Sequence, residues 1–318
     1  MSVGIETVSA VIKVCALDAP YLAVTVPHML AQAKYPFAEK LIIADPRSTF
    51  TGKYATRTNV DLGSYRSVLA ELEARRVVDR VIWASETSAD VEAILGTYFM
   101  GGVRKRWSHD RTGAPVYSAL LGLELARNHH VLLLDADMLF HSRGPSWVAD
   151  GVARLKANPE VWFVMSHAGP PPAPMGTRDS LGPRNARGTW HPDAAAWCFR
   201  HVTSRYFLVD RRRLRGRVPI VTEGNELEPL ETCFSAALQR FGALRINLAV
   251  EGNWDLHVHD HGPPFPAWAD RIATLVERGV VPRQQLGDYD LKLRQGMHRI
   301  PWRALLQREF PEFNPFRA

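Results

Sequence analysis

Apolar positions along this chain fall into short unbroken runs, separated by stretches with helical spacing. The first run, residues 8–17, clusters and alternates as a strand does, and Asp18-Ala19-Pro20 stops it. Pro20 disfavours helix at Ala19, and a helical pattern then follows to about Ala33. Residues 40–44 form a second strand-like run ending in Asp45-Pro46, residues 68–73 read as a helix, and 77–83 lead into a third strand. Residues 114–127 predict a strong helix, which delivers the chain to four apolar residues, Val131–Leu134. These run straight into Asp135-Ala136-Asp137, and the chain then turns apolar again through Phe140. Downstream, helices are expected near 147–155 and over 231–241, the second ending at Gly242 as a natural C-cap. Strand-like runs cover 161–165, 205–210 and 244–248, and Trp254–His261 follow the last of them. Strands alternating with helices predict βαβ units, and so an α/β fold with a mostly parallel central sheet flanked by helices.

Composition changes this picture little. The 318 residues are 46% apolar, ordinary for a globular chain with one large core or two modest ones. No apolar run reaches about 18 residues, so no membrane span is expected. Lys13 interrupts the first apolar segment, which has no basic leader and so reads as a strand and not as a secretion signal. Cys15, Cys198 and Cys233 are widely spaced with no C-x-x-C, which points away from a disulfide or zinc framework and towards a reducing cytoplasm. The net charge of +6 is dominated by arginine, compatible with an anionic substrate without implying nucleic acid. The run Arg211–Arg217 lacks aromatic interleaving and reads as a solvated turn after a strand. Gly169 to Pro192 is dense in Pro and Gly and is expected to act as a mobile lid.

The candidate chemistry begins where the Val131–Leu134 strand ends. An unpaired carboxylate inside an apolar layer costs several kcal/mol. Asp135 and Asp137 are therefore expected just past the strand's carboxyl end, where an open α/β sheet presents its ligand crevice. Carboxylates at i and i+2 can converge on one hard cation, and oxygen ligands suit Mg²⁺ or Mn²⁺. A solvated Asp-Ala-Asp turn would give the same local pattern.

The order of parts resembles a glycosyltransferase of the GT-A fold, closest in pattern to the inverting family 2. A strand ends in Leu17-Asp18, a second ends in Asp45, and Arg111 precedes a helix and Asp135-Ala136-Asp137. An acidic helix ending in Gly242 is then followed by Trp254-x-x-His257. The resemblance spans roughly residues 8–260. It implies a Rossmann-like nucleotide-sugar half over 1–142, an acceptor half over 143–262 and a helical extension over 263–318. It also implies a UDP- or GDP-linked sugar as donor. Leu17, Asp18, Asp45, Arg111, Asp135 and Ala136 would contact that donor, and Asp137 would hold the metal to its diphosphate. His257 resembles the late histidine of the metal shell, with His259 or His261 as other registers, and Asp135 is a further metal contact. Arg104, Lys105 and Arg106 stand close enough in sequence to compete with Arg111.

Family 2 places an acidic pair at the start of the helix that ends in Gly. Counting back from Gly242 puts the pair at Leu230-Glu231, so this chain departs from the pattern at Leu230. Glu231 is the expected base for an inverting transfer, with Glu228 as the alternative and Glu226 and Glu223 nearby. The acceptor implied is soluble, such as a small natural product or a peptide, with no nucleic-acid partner; the oligomeric state is left open, a dimer being one option. Two other classes use similar parts. A nucleotidyltransferase acting on sugar phosphates would want a Gly-rich loop after the first strand, and Cys15–Pro20 is not one. A transferase-like binding protein without catalysis is suggested only by Leu230.

Overall fold

The computed structural model describes residues 6–56, 60–84, 87–102, 107–182, 188–258, 264–291 and 302–312. In the first half, strand β1 (Val8–Val14) leads through a 3₁₀ turn into helix α1 (Ala19–Gln32), followed by β2 (Glu39–Ala44), α2 (Leu62–Ala74) and β3 (Arg80–Trp83). Helices α3 (Ser88–Tyr98) and α4 (Tyr117–Leu125) then precede β4 (His130–Asp135) and β5 (Met138–Ser142). Next come α5 (Trp147–Ala157), β6 (Val161–Met165), β7 (His167–Ala168), β8 (Thr189–His191), β9 (Ala196–Phe199) and β10 (Tyr206–Asp210). A small hairpin, β11 (Thr222–Glu223) and β12 (Glu226–Leu227), leads to α6 (Leu230–Phe241) and β13 (Leu244–Leu248). The chain closes with β14 (Asn253–Val258), α7 (Pro264–Glu277), β15 (Asp290–Leu291) and α8 (Trp302–Glu309).

Nine strands join one sheet in the order β3-β2-β1-β4-β10-β6-β13-β9-β8, and only β9 and β10 run against the other seven. The chain thus adopts the mostly parallel α/β architecture that its pattern predicts. The central strands are buried along almost their whole length, as a sheet covered on both faces requires. Helix α4 packs on β1, β2 and β4, α5 packs on β6 and β10, and α1 packs against α2, β5 and α7. A second sheet, β15-β14-β5, stands beside the first, with β7 also paired to β14. Among the described residues no helix is long and apolar enough to cross a membrane.

Several boundaries differ from the pattern for identifiable reasons. β1 stops at Val14 because the Cys15 amide turns back to the Asp18 carboxylate (2.8 Å). α2 starts earlier than expected, at Leu62, because Asp61 caps it by accepting from the Ser64 amide (3.0 Å). β3 begins only at Arg80, since the Val77 amide still closes the end of α2 on the Leu72 carbonyl (3.0 Å). Residues 114–116 are withheld from α4 by a bridge between His109 and Pro115. His259 and His261, the other registers for the late histidine, lie outside the described residues, as do Arg104–Arg106 and 183–187 of the expected lid. The described parts of that lid include a 3₁₀ turn at Arg178–Ser180 and the strand β8.

The basic run after β10 is a turn, but it is not merely solvated. Arg211 donates to the carbonyls of Leu123 (2.8 Å) and Glu124 (2.6 Å) at the end of α4. Arg213 donates to the carbonyls of Leu155, Val161 and Asn158, the last at 3.0 Å. Apart from Val161, which opens β6, these are carbonyls that α4 and α5 leave open at their carboxyl ends.

Where the two sheets meet, a polar cluster is sealed inside. The buried Asp255 carboxylate accepts from the Tyr206 hydroxyl and from the Ser166 hydroxyl (3.0 Å). Burial lifts its pKa to about 7, although both hydrogen bonds oppose the rise. The folded state therefore holds a proton that the unfolded chain, with an Asp near 3.9, releases earlier. Stability from this group is largest below about pH 4 and is lost as the pH rises towards 7. Asp255→Asn keeps an acceptor for both hydroxyls and cannot ionise. It is expected to match the wild type near pH 4 and to exceed its stability at pH 8, read as the difference in urea midpoints. An offset that stays constant from pH 4 to 8 would count against a buried neutral acid.

Candidate functional site

The carboxyl ends of β1, β2 and β4, with the amino end of the antiparallel β10, border one crevice of about 450 Å³. Sheet order sets the order of its groups. Asp45 follows β2, Cys15, Leu17 and Asp18 follow β1, Asp135 ends β4 with Ala136 and Asp137 just after it, and Ser204 and Arg205 precede β10. Glu231, in the first turn of α6, and His257, on β14, complete the far side.

At the β2 end the wall is built by two loops pressed backbone to backbone. A side chain on Gly52 would fall 2.4 Å from the Thr112 carbonyl, and one on Gly113 would fall 2.3 Å from the Thr51 carbonyl. Both glycines also have positive φ (+58° and +85°), so neither position accepts another residue without strain. This contact brings Phe50, Lys53 and Tyr54 to the crevice beside Asp110, whose Oδ1 accepts from the Thr112 amide at 2.8 Å. Asp45 is buried, bonded to His109 Nε2 (2.8 Å) and to the Arg47 amide (3.0 Å). Burial alone would raise its pKa, but His109 and Arg47 together hold it below the usual range. Asp18 is spent partly on the local turn, accepting from the Cys15 amide (2.8 Å) and from the Tyr21 hydroxyl.

At the β4 end the chain reverses between the two sheets, and that reversal creates the charged centre. Asp135 is the last residue of β4 and forms an ion pair with Lys13 of β1. Burial raises its pKa, with Lys13 opposing the shift and Asp137 adding to it. Two residues on, β5 pairs with β14 so that Met138 faces His257, and the Val258 amide donates to the Asp137 carbonyl (2.9 Å). His257 Nε2 then lies 3.3 Å from Asp137 Oδ2, and its Nδ1 lies 3.0 Å from Asp290 Oδ1. Burial disfavours the imidazolium, but the Asp137 charge and the bonds to both carboxylates outweigh it and raise the pKa.

The structure thus brings Leu17, Asp18, Asp45, Asp135, Ala136, Asp137, Glu231 and His257 to one crevice. Arg111 is not among the lining residues. Its guanidinium is taken by Glu228 (2.6 Å) and Glu223 (3.2 Å) of the β11–β12 hairpin region. The same ion pair turns the Glu228 carboxylate to Arg111, and neither Glu223 nor Glu226 lines the crevice. Among the described residues, the lysines and arginines that line it are Lys13, Lys53 and Arg205. Lys13 had a legible signal, a charge inside an otherwise apolar strand. Arg205, Asp290 and His109 had none, because each is placed by contacts distant in sequence.

Among the described residues, no group of three or more His, Cys, Asp or Glu is arranged to hold a metal by itself. Asp137 and His257 still offer one oxygen and one nitrogen donor at the same point. Mg²⁺ and Mn²⁺ sites of this kind draw their remaining ligands from substrate phosphates and water.

No family model matches the chain, and no curated protein matches it. Among solved structures, it is similar to a mannosyltransferase, PcManGT from Pyrobaculum calidifontis, described in complex with GDP-Man and Mn²⁺. There the identity is 15% and the TM-score 0.44, over 84% of this chain and 60% of that one, so this chain spans well under two thirds of that protein. A mycobacterial protein is 14% identical with a TM-score of 0.42, over 86% of this chain and 75% of the other. A UDP-glucose pyrophosphorylase complexed with UDP-glucose is 9% identical with a TM-score of 0.43, over 85% and 99%. Similarity of this degree does not carry chemistry from one chain to another.

Proposed function

We propose that the crevice binds a nucleotide sugar with a divalent cation and transfers the sugar to an acceptor hydroxyl with inversion. The observation that carries this reading is the meeting of Asp137 and His257 at one point of a crevice that Glu231 faces from another element. In this reading the GT-A halves at 1–142 and 143–262 meet along the crevice. Asp45 and Asp18, with the Phe50 and Tyr54 rings, take the nucleoside end, and Asp135 and Ala136 lie against the donor's sugar or ribose. Asp137 and His257 would hold Mn²⁺ or Mg²⁺, which neutralises charge on a departing nucleoside diphosphate when bound. Glu231 accepts the proton of the acceptor hydroxyl as that oxygen bonds to the anomeric carbon and the bond to the diphosphate breaks. Glu228 is held by Arg111, which favours Glu231 over it as base.

Thermal unfolding with UDP, GDP and their sugar conjugates, with and without Mn²⁺, tests the reading. Ligand at 100 times its Kd stabilises by about 2.7 kcal/mol, a rise of a few degrees in Tm for a chain of this size. A rise that needs metal and nucleotide together is expected. No rise with any of them sinks the proposal, and release of pyrophosphate from a nucleoside triphosphate points instead to nucleotidyl transfer.

A further inference from the structure

The segment after α7 returns to the crevice and stops behind its charged centre. β15 pairs in parallel with β14, placing Asp290 beside His257, and the His257 amide donates to the Tyr289 carbonyl (2.7 Å). Asp290 Oδ1 accepts from His257 Nδ1 and from Arg205 Nη1, both at 3.0 Å. With Nδ1 engaged, Nε2 is the ring nitrogen turned to Asp137. The Arg205 guanidinium also lies over the Tyr289 ring, 4.9 Å from its centroid. One carboxylate from the carboxyl-terminal extension therefore orients two groups that line the crevice.

Asp290 is itself held from behind. Gln285 is fully buried, and its Nε2 donates to the Asp288 carbonyl (2.6 Å) and reaches the Asp290 carbonyl at 3.4 Å. Its Oε1 accepts from Trp302 Nε1 (3.0 Å), and Trp302 is fully buried at the start of α8. The Asp290 amide donates to Asp288 Oδ1 (3.1 Å), which closes the turn. A hydrogen-bonded chain thus runs from α8 through Gln285 to Asp290, and from there to Arg205 and His257.

We infer that Asp290 is a positioning residue for diphosphate recognition, and that Gln285 and Trp302 set its place. This rests on the nucleotide-sugar reading above. A guanidinium held at one edge presents its remaining N–H groups in a fixed direction, the geometry that suits phosphate oxygens. A carboxylate on the far nitrogen of an imidazole fixes the ring and its tautomer, and losing such a partner costs 10–100-fold in metal affinity. Arg205 therefore supplies the cation towards the donor that the resemblance expects of Arg111, whose guanidinium is engaged by Glu228 and Glu223. The extension after residue 263 is thereby a working wall of the site.

The test compares wild type, Asp290→Asn and Trp302→Phe, the last removing one N–H while keeping a large ring. Affinities for UDP and GDP with Mn²⁺, and for uridine and guanosine, are measured by NMR titration. Asp290→Asn should weaken the better-bound diphosphate about 10–100-fold, with its nucleoside within about twofold of wild type. Trp302→Phe should shift the same ratio in the same direction by several-fold. A merely structural brace would lower both affinities together, and that outcome overturns the inference, as does an unchanged diphosphate affinity. Should Asp290→Asn not fold, the Trp302→Phe ratio decides alone: a ratio equal to wild type overturns the inference. A wild type that binds neither UDP nor GDP with Mn²⁺ fails the parent reading, and is told apart from these outcomes before any variant is made.

Discussion

Asp137→Ala is expected to abolish transfer while leaving the fold intact. The carboxylate stands where β4 ends and β5 begins, 3.3 Å from His257 Nε2, and is buried. Without it, the Asp137–His257 pair is reduced to one imidazole, which does not retain a hard cation against water. Stabilising the charge of a departing diphosphate contributes several kcal/mol, and each 1.36 kcal/mol is tenfold in rate. The loss in kcat/KM should therefore reach about 10³-fold or more. His257 keeps its Asp290 bond, and the β5–β14 pairing is made by backbone groups, so circular dichroism should not change. Mn²⁺-dependent affinity for UDP or GDP should fall to the metal-free level. A variant that keeps the wild-type dependence of turnover on Mn²⁺ would remove Asp137 from the metal site.

What the sequence made legible, and what it did not, follows from how each group is positioned. Val131–Leu134 is buried because it sits at the centre of the sheet, and local composition alone exposes that. Asp137 stands past that strand as the local argument expects, but Asp135 is the last residue of β4, its charge met there by Lys13 of β1. α6 was equally plain: Leu230, Cys233, Phe234, Ala237 and Leu238 make its buried stripe, and Gly242 ends it with φ +64°. Placement across the crevice was another matter. Arg111 has the right sequence position before α4, yet its partners are Glu223 and Glu228, more than a hundred residues away, and no local signal reports that pairing. Arg205 reaches the crevice because β10 enters the sheet antiparallel beside β4, with the Asp135 amide bonded to the Arg205 carbonyl (2.6 Å). Asp290 arrives only because β15 adds to the second sheet, which periodicity did not reveal. In the sequence, residues 138–140 are no more than a resumption of apolar chain, whereas in the structure they change sheets, and that change is what carries His257 to Asp137.

Glu231→Gln is the substitution that separates catalysis from donor binding. Glu231 is exposed at the first turn of α6 and lines the crevice beside Pro229. Glutamine keeps the size and most hydrogen bonding but cannot take a proton. Transfer should fall about 10²–10⁴-fold, the span associated with losing a general base. Donor affinity should barely move, because in the proposed reading the nucleoside and diphosphate are held by residues at the ends of β2, β1 and β4, while Glu231 serves the acceptor. An acidic side chain in the first turn also interacts with the helix dipole, but that contributes about 0.3–1 kcal/mol to stability and nothing to proton transfer. A drop in stability without loss of rate would therefore assign Glu231 to the helix and not to the chemistry. Glu228→Gln is the matched control. Its carboxylate accepts from Arg111 Nε at 2.6 Å, so the exchange weakens that ion pair and the β11–β12 region behind it, with an expected effect on transfer within a few-fold. A large loss in Glu228→Gln and none in Glu231→Gln would move the base by three residues and require Arg111 to release it on acceptor binding. If both variants transfer at near the wild-type rate, neither glutamate is the base, and the departure at Leu230 from the acidic pair of family 2 marks a different mechanism.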